Sequence, residues 1–258
     1  MENLVGASVT PLLLTFNEAP NIGRTLESVR WAARVVVLDS GSTDETEAIC
    51  RSFPNVDWRD RAFDCHRNQW HHGVHSTGID TDFVLALDAD MVVSSAFPEE
   101  LVSRFLSGNF AGGWIPFRYS IFGRILAGSI YPTQLRLFKP SLVQITQNGH
   151  TQEFSSSGPL YHFKACLIHD DRKSLERWVT SQLAYSALEA KHIQSGKSSR
   201  LWNRLRCIGV TPMIAGVVAY FRAGGPFLGI AAVRYAYERT LYECLLVIRL
   251  FSKYLEKQ

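Results

Sequence analysis

The run from Phe83 to Asp90, FVLALDAD, constrains the fold of this chain more than any other stretch. It opens with apolar residues, which is typical of a strand buried on both faces of a parallel sheet. Asp88 and Asp90 follow directly, and carboxylates at the end of a buried strand are costly unless a cation meets them. Ligands of open α/β sheets bind at the carboxyl ends of the strands. The run therefore predicts an α/β sheet in which Asp88 and Asp90 meet a divalent cation that also holds phosphates.

Two strand–helix repeats precede this strand. Residues 7–15 predict a first strand, with pairing expected to start after Pro11 because proline cannot donate to a ladder. A helix follows, with Asn21 as its N-cap. The β-branched residues 34–38 predict a second strand, and a second helix follows at 45–53. This alternation predicts a doubly wound, mostly parallel α/β sheet flanked by helices.

Asp39 ends the second predicted strand and therefore joins Asp88 and Asp90 at one edge of the sheet. Three carboxylates at one edge repel one another unless a ligand uses them. A carboxylate in this place can accept hydrogen bonds from a nucleotide base or ribose. The alternative is that Asp39 and the Ser- and Thr-rich turn after it only shape the turn and cap the next helix. The chain has no GxGxxG and no P-loop motif, so neither a dinucleotide fold nor an ATPase is indicated.

A dense charged segment lies at 59–69. Its Arg61 and Arg67 could contact phosphate oxygens as bidentate donors. The alternative is a solvated charged surface. Four histidines lie in or just after it: His66, His71, His72 and His75. Their spacing is not that of zinc fingers or zinc proteases, so they predict no metal site.

Four motifs in order, TFNE after a strand, VVVLDSGSTDET, RNQ and LALDAD, resemble the inverting family 2 glycosyltransferases with the GT-A fold. The likeness is strong over residues 8–95 and weaker over 112–190. Within that family it is nearest to bacterial lipopolysaccharide-core and capsule or exopolysaccharide glucosyltransferases. The resemblance implies nucleotide contacts from Thr15, Asn17, Glu18 and Asp39 and a contact of Asp88 with the sugar diphosphate. Similar sequences often carry RLF where this chain has QLRLFK, which makes Arg136 a candidate for donor-phosphate or acceptor binding. We also count Arg67 among the predicted nucleotide-sugar contacts, as a phosphate ligand. The resemblance also implies that Mn²⁺ or Mg²⁺ holds the sugar diphosphate through Asp88, Asp90 and His169.

The resemblance further places a general base in the segment NGHTQEF, residues 148–154. Similar sequences carry a His-Glu pair there, whereas His150 and Glu153 are three positions apart in this chain, which leaves the role of His150 open. Glu153 is the only acidic residue between Glu100 and Asp170, and we therefore predict Glu153 as the catalytic base. Asp170 and Asp171 are the alternative base, although Asp171 is better read as a helix cap.

The implied reaction is a metal-assisted single displacement. It moves a hexose, with glucose preferred, from a nucleotide diphosphate sugar, with UDP favoured, to a hydroxyl of a glycan or glycolipid. Two alternatives stay open: transfer to a polyprenyl phosphate, and a nucleotide-sugar-binding subunit without activity. The aromatic and basic stretch 117–131 either lines the acceptor cleft or forms a mobile surface loop.

Charge is distributed unevenly along the chain. Residues 1–171 hold 13 Lys and Arg against 19 Asp and Glu, whereas residues 172–258 hold 14 against 5. The basic end predicts an anionic partner, and a membrane surface fits better than nucleic acid, for which no recognition motif is present. The five cysteines form no CxxC pair and predict reduced thiols in the cytosol. The N-terminus lacks the features of a signal peptide. We therefore expect a cytoplasmic protein at the inner face of a bacterial plasma membrane, held there peripherally or monotopically.

The sequence divides into a catalytic domain at 1–194 and a basic helical region at 195–258. An amphipathic helix at 174–193 closes the first part, and a polar link at 194–206 follows. Residues 207–221 carry no charge, yet they are shorter than the roughly 20 residues of a spanning helix and contain Pro212. With 223–233 they predict membrane-surface or re-entrant helices. A soluble appendage, an oligomer interface and a hairpin within the bilayer are the alternatives. A last amphipathic helix is predicted at 235–255.

Overall fold

The computed structural model describes residues 8–129, 131–148, 151–195 and 201–256. The chain divides into two compact units. The first holds the described residues of Met1–Phe122 and Tyr131–Arg172, and the second holds those of Gly123–Ile130 and Lys173–Gln258. This division falls before the amphipathic helix that the sequence prediction assigned to the catalytic domain.

A seven-stranded sheet forms the centre of the first unit. Its strands are β1 (Val9–Thr15), β2 (Val35–Asp39), β3 (Val56–Asp60), β4 (Phe83–Asp88), β6 (Gly112–Ile115), β9 (Gln134–Phe138) and β12 (Leu160–His162). They lie side by side in the order β12-β6-β9-β4-β1-β2-β3. All of them except β9 run in the same direction. The predicted mostly parallel α/β sheet is confirmed.

Helices and two smaller β-structures complete this unit. The helices are α1 (Ile22–Ser28), α2 (Thr46–Arg51), α3 (His66–Ser76) and α4 (Phe97–Glu100), which continues as a π-helical turn at Leu101–Phe105. In a second sheet, β13 (Leu167–His169) lies between β5 (Met91–Val93) and β7 (Phe117–Ile121). A hairpin pairs β10 (Val143–Asn148) with β11 (Thr151–Ser156).

The central strand β4 is buried on both faces, as its apolar sequence predicts. Leu85 and Leu87 pack into the core cluster on one side of the sheet, where α1 and Phe97 also lie. Val84 and Ala86 pack into the opposite cluster with Trp70 of α3. Each large side chain that is fully buried contributes about 1.5–3 kcal/mol. This two-sided burial fixes where β4 ends, and with it the position of Asp88.

The strands of the first unit depart from the sequence predictions in several places. Strand β1 includes Pro11, which lies opposite Leu85 in the ladder with β4, whereas the ladder with β2 starts after Pro11, at Leu12, as predicted. Strand β3 was not predicted, because its sequence VDWRD is polar and forms an edge of the sheet. Strand β7 occupies part of the stretch 117–131, for which only a cleft lining or a loop was considered.

The second unit is mostly helical. It contains α5 (Leu175–Gln194), α6 (Leu201–Cys207), α7 (Thr211–Ala223), a 3₁₀ turn (Gly225–Leu228) and α8 (Gly229–Leu255), together with the short strand β8 (Arg124–Ile125). Helix α6 covers the end of the polar link predicted at 194–206. Helix α8 joins parts of the stretches 223–233 and 235–255, which were predicted as separate helices. Helices α7 and α8 pack closely, since a Cβ atom at Gly216 would lie 2.2 Å from Oγ1 of Thr240.

No single helix in the described part of the chain is both long and apolar enough to cross a membrane. Thr211–Ala223 and Gly225–Leu255 pass that test only when taken together, as a pair bent by 69°.

Candidate active site

The strand register brings the predicted carboxylates to one edge of the central sheet. Thr15 at the end of β1 lies opposite Asp39 at the end of β2. On the other side of β1, Leu14 lies opposite Asp88 at the end of β4. Since these strands are parallel, their ends form one rim, which is where ligands of such sheets bind. The Oγ1 atom of Thr15 is buried at this rim and has no hydrogen-bond partner among the described residues.

Asp39 shapes the loop that follows β2. Its carboxylate accepts hydrogen bonds from the backbone amides of Gly41 and Ser42, at 2.8 and 2.6 Å, and from the hydroxyl of Ser42. Gly41 has a φ of 90°, in the left-handed region that favours glycine. The turn-shaping role considered for Asp39 is therefore present, and its predicted nucleotide contact remains a prediction.

Asn17 and Glu18 join the loop after β1 to the loop after β2. Asn17 has a φ of 55°, which asparagine tolerates better than most residues. Its side-chain oxygen Oδ1 accepts a 2.7 Å hydrogen bond from the backbone amide of Thr43. Its backbone amide donates to the hydroxyl of Ser42, also at 2.7 Å. The amide of Glu18 donates to the hydroxyl of Thr46, also at 2.7 Å. The TFNE and DSGSTDET motifs thus form one connected rim.

Gln69 adds a third loop to this rim. Its side chain is fully buried on α3. Its Nε2 donates to the hydroxyl of Ser40 at 3.0 Å and to the carbonyl of Arg61 at 3.1 Å, while its Oε1 accepts from the Arg61 guanidinium. Arg61 also forms a two-bond pair with Asp64, at 3.0 and 3.1 Å. The RNQ motif signalled this position, but its role as a link between the loops after β2 and β3 was not foreseen.

Asp88 faces the buried side chain of Arg136 on β9. The Nη2 atom of Arg136 lies 3.2 Å from Oδ2 of Asp88, and its Nε donates to Gln134 at 2.9 Å. The guanidinium also lies over the rings of Phe117 and Phe154. Its Nη1 is buried and has no hydrogen-bond partner among the described residues. The side chain of Asp88 is 41% exposed. Its carboxylate therefore has a fixed cationic partner and is also accessible to a ligand.

Asp90 contacts His169 across the turn that follows β4. Its Oδ1 lies 3.0 Å from Nδ1 of His169, and the carbonyl of Ala89 accepts a 2.7 Å hydrogen bond from Thr25, which fixes the turn. Burial alone lowers the pKa of His169, but the charge of Asp90 and its hydrogen bond outweigh burial and raise that pKa to about 9. In this geometry Asp90 and His169 are thus paired, and the carboxylate favours the protonated imidazole.

Asn21 is the centre of a hydrogen-bond network that sequence reasoning missed. The sequence predicts that Asn21 caps α1, but its side chain makes no capping hydrogen bond. Instead Nδ2 donates to Glu18 and to Asp171, each at 2.9 Å, and Oδ1 accepts from Arg24 at 3.0 Å and from the amide of Arg172 at 2.9 Å. All four hydrogen-bonding positions of this buried amide are therefore used. Its partners lie up to 151 positions away, so no local pattern could indicate them.

Asp170, one alternative for the base, is buried and held by two arginines. Arg172 approaches its Oδ2 at 2.8 Å and Arg24 at 3.5 Å. Its backbone amide donates to the carbonyl of Asp90 at 3.0 Å. These contacts make Asp170 part of the structure that holds the Asp90 turn.

Glu153 lies on β11, on the exposed face of the hairpin, opposite Thr146. Its neighbour Phe154 faces the core and lies beneath the guanidinium of Arg136. Arg67 contacts the same hairpin, donating from Nε to the carbonyl of Ile145 at 3.1 Å. His150 lies outside the described residues. Arg67 and Arg136 thus both contact this hairpin, whereas the side chain of Glu153 lies on its exposed face, and the predicted roles of all three remain predictions.

The carboxylates fit a divalent cation that is shared with a ligand. Within the described ranges, no group of three or more His, Cys, Asp or Glu side chains is arranged to hold a metal ion by itself. Mg²⁺ characteristically takes one or two protein carboxylates and completes its shell with phosphates and water. Asp88 and Asp90 supply such oxygen donors, and the contact with His169 is the kind that orients a ligating carboxylate.

Comparisons with known proteins give the family and the fold. The family model described as Glycosyl transferase family 2 matches residues 12–167. A relative from Rhizobium meliloti (strain 1021), named lipopolysaccharide core biosynthesis glycosyltransferase LpsC, is 24% identical over 262 residues, covering 95% of this chain and 93% of its own. The crystal structure of S. aureus TarS 1-349 in complex with UDP-GlcNAc is 13% identical with a TM-score of 0.50, covering 92% of this chain and 90% of its own. That structural likeness shows a shared fold.

Proposed function

Because this chain belongs to glycosyl transferase family 2, we propose that it transfers a hexose, most simply glucose, from a UDP-sugar to a hydroxyl of a lipid-linked, lipopolysaccharide or exopolysaccharide acceptor. The observation that carries the proposal is the single rim formed by the ends of β1, β2 and β4, which carry Thr15, Asp39 and Asp88. The name of the Rhizobium relative supports a lipopolysaccharide acceptor. The UDP-GlcNAc bound in the TarS structure makes UDP-sugars the donors to test first.

The donor is bound by the connected loops and by Arg136. The loops held together by Asn17 and Asp39 form a fixed frame for the base and ribose, and the buried Oγ1 of Thr15 beside them has no hydrogen-bond partner among the described residues. Arg136 is buried, so its charge acts in a medium of lower dielectric constant than water. Its attraction for a diphosphate beside Asp88 is correspondingly stronger than that of a surface arginine.

Asp88 and Asp90 would hold Mg²⁺ or Mn²⁺ together with the diphosphate. His169, predicted as a third ligand, fixes Asp90 in the described geometry. When bound, the ion supplies charge neutralisation for the leaving diphosphate. The turn between the two carboxylates is held by Thr25 and by the amide of Asp170, so their positions are set before a ligand binds.

Glu153 is the proposed base, which takes the proton from the acceptor hydroxyl as that hydroxyl attacks the anomeric carbon. The rival carboxylates are engaged elsewhere: Asp170 by Arg24 and Arg172, and Asp171 by Asn21. A single displacement inverts the anomeric centre, so an α-linked donor gives a β-linked product. The reaction needs no covalent nucleophile.

The second unit is the proposed membrane contact. Helix α7, the 3₁₀ turn and the start of α8 carry large apolar side chains that face solvent: Met213, Val217, Phe221, Phe227 and Ile230. Phe227 is 93% and Met213 80% exposed. The surrounding sequence, residues 172–258, carries 14 Lys and Arg against 5 Asp and Glu. An apolar face within a basic surface is what binds the interface of an anionic bilayer.

Vesicle flotation tests this contact. We expect the protein to float with vesicles of phosphatidylglycerol and phosphatidylethanolamine, and Met213→Glu with Phe227→Glu to abolish flotation. Leu175→Glu, at an exposed apolar position on α5, is the matched control and should float as the parent does. Equal flotation of the double variant would remove this face from membrane binding.

Turnover with UDP-, GDP- and dTDP-sugars on a bacterial membrane extract tests the reaction. We expect transfer from a UDP-sugar, and a loss of about 10²- to 10⁴-fold in Glu153→Gln with UDP binding unchanged. An undiminished rate in Glu153→Gln would indicate an acceptor that needs no strong base, such as a polyprenyl phosphate. Tight UDP binding without turnover of any donor would indicate a nucleotide-sugar-binding subunit.

A further inference from the structure

An aromatic stack continues outward from Asp90 and His169, and its two tyrosines have had no individual role so far. His169 contacts Asp90 at 3.0 Å. The ring of Tyr119 meets the imidazole edge to face, with centroids 4.5 Å apart and planes at 74°. Tyr131 then stacks on Tyr119, with centroids 5.1 Å apart and planes at 20°. The stack leads from a buried carboxylate to the surface.

The position of this stack is set by the second sheet. Tyr119 lies on β7 directly opposite His169 on β13, and β5 on the other side of β13 starts immediately after Asp90. Tyr131 is 39% exposed. Part of this side chain is therefore accessible to a ligand although Tyr119 stacks on it.

The stack starts at one end of the proposed donor site. The loops proposed for the base follow β1 and β2, and the pair of Asp88 with Arg136 comes next, at the end of β4. Asp90 follows Asp88 in the chain and belongs to the turn that leads away into the second sheet. Through His169 and Tyr119, the ring of Tyr131 is thus joined to one of the two carboxylates proposed to hold the donor diphosphate.

We propose that Tyr131, supported by Tyr119, is a platform for a pyranose ring of the acceptor. This inference rests on the proposed glycosyltransferase reaction and adds the chemical class of its second substrate. A pyranose with equatorial hydroxyls has a face made of C–H groups, which packs on an aromatic face while the hydroxyls at its rim remain free to hydrogen-bond. A polyprenyl phosphate offers no such ring to the platform.

Ligand-observed saturation-transfer NMR with methyl pyranosides tests the platform. The probes are methyl β-D-glucopyranoside and methyl α-D-mannopyranoside, added to the full chain with UDP and Mg²⁺. We expect the ring protons of a pyranoside to receive saturation from the protein. Tyr131→Ala should weaken that binding about tenfold, whereas Tyr131→Phe, which keeps the ring, should bind as the parent does. Tyr185→Ala, at an exposed tyrosine of the second unit, is the control and should change nothing.

The outcomes separate this inference from the function on which it rests. Pyranoside binding that needs the Tyr131 ring, with UDP affinity equal in all variants, supports the platform. Pyranoside binding unchanged in Tyr131→Ala, or absent in the parent while UDP binds, overturns the platform and leaves the proposed transfer intact. If Tyr131→Ala lost affinity for UDP-glucose but not for UDP, and still bound the methyl pyranosides, the Tyr131 ring would be assigned to the donor sugar. That result would overturn the platform too. A parent chain that binds neither UDP nor UDP-glucose contradicts the proposed function itself.

Discussion

The Nη2 atom of Arg136 lies 3.2 Å from Oδ2 of Asp88. Strand β9, the one strand of the central sheet that runs against the others, thus brings a buried cation to the carboxylate that ends β4. This pair prepares the end of β4 for a ligand with several negative charges, because the cation is already in place before the ligand binds.

Replacing Arg136 by Gln should weaken UDP binding about tenfold to a hundredfold, since a hydrogen bond to a charged group contributes about 1.5–3 kcal/mol. Arg136→Lys should recover only part of the affinity, because an ammonium cannot contact Gln134 and Asp88 in the same way. Isothermal titration with UDP measures both variants. Arg124→Gln, at an exposed position, is the control. Parent-like UDP affinity in a folded Arg136→Gln protein would remove Arg136 from the site.

Asn21→Ala should lower the free energy of unfolding by about 2–4 kcal/mol, because it removes four hydrogen bonds of a buried amide, three of them to the half-buried charged side chains of Glu18, Arg24 and Asp171. Urea denaturation followed by circular dichroism measures the change. Asn109→Ala, at an exposed asparagine, should change stability by less than about 0.5 kcal/mol. Equal stability of the two variants would show that the Asn21 network adds nothing to the fold.

Glu100 should make the stability depend on pH. Its carboxylate accepts hydrogen bonds from the amides of Lys164 and Ala165, at 2.9 and 2.7 Å, and from the hydroxyl of Tyr161 at 2.9 Å. Burial alone raises the pKa of Glu100, but these hydrogen bonds outweigh it and hold the pKa below its usual value. The group therefore stabilises the fold fully above its unfolded pKa of about 4.3, and that contribution is lost as pH falls through the lower folded pKa.

The measurement compares the parent with Glu100→Gln in urea from pH 7 to pH 3. We expect the parent to be the more stable protein at pH 7 and the difference to shrink below about pH 4. The exposed neighbour Glu99 provides the control, and Glu99→Gln should match the parent throughout. A difference that grows toward low pH would contradict the assignment.

The sequence was sufficient for the centre of the fold because that part is specified by strong local patterns. The apolar run of β4 and the β-branched run of β2 allow little besides buried parallel strands, and the carboxylates after them have to lie at one rim. Edge and surface strands carry no such signal. Strand β3 reads VDWRD and strand β10 reads VQITQN, both too polar to be distinguished from loops by pattern alone.

The parts of the site that were missed depend on contacts between residues far apart in the chain. Asn21 was read as a helix cap because its neighbours in sequence suggested one, whereas its partners Asp171 and Arg172 lie at the far end of the unit's sequence. Gln69 was recognisable within a motif, but its link to Ser40 required the fold. Long-range hydrogen bonds of this kind follow from topology, which periodicity does not encode.

Titration of UDP in the presence of Mg²⁺ and in the presence of EDTA, on the parent and on Asp88→Asn, tests most directly whether this rim holds a cation-bound diphosphate. Asp80→Asn is the matched control, because Asp80 and Asp82 have the same spacing but are exposed ahead of β4. We predict that the parent and Asp80→Asn bind UDP at least tenfold more tightly with Mg²⁺ than with EDTA, a difference of about 1.4 kcal/mol. Asp88→Asn should bind UDP equally in both conditions. Equal binding of UDP with and without the metal in the parent, or a metal dependence that survives in Asp88→Asn, would contradict a cation-bound diphosphate at this rim.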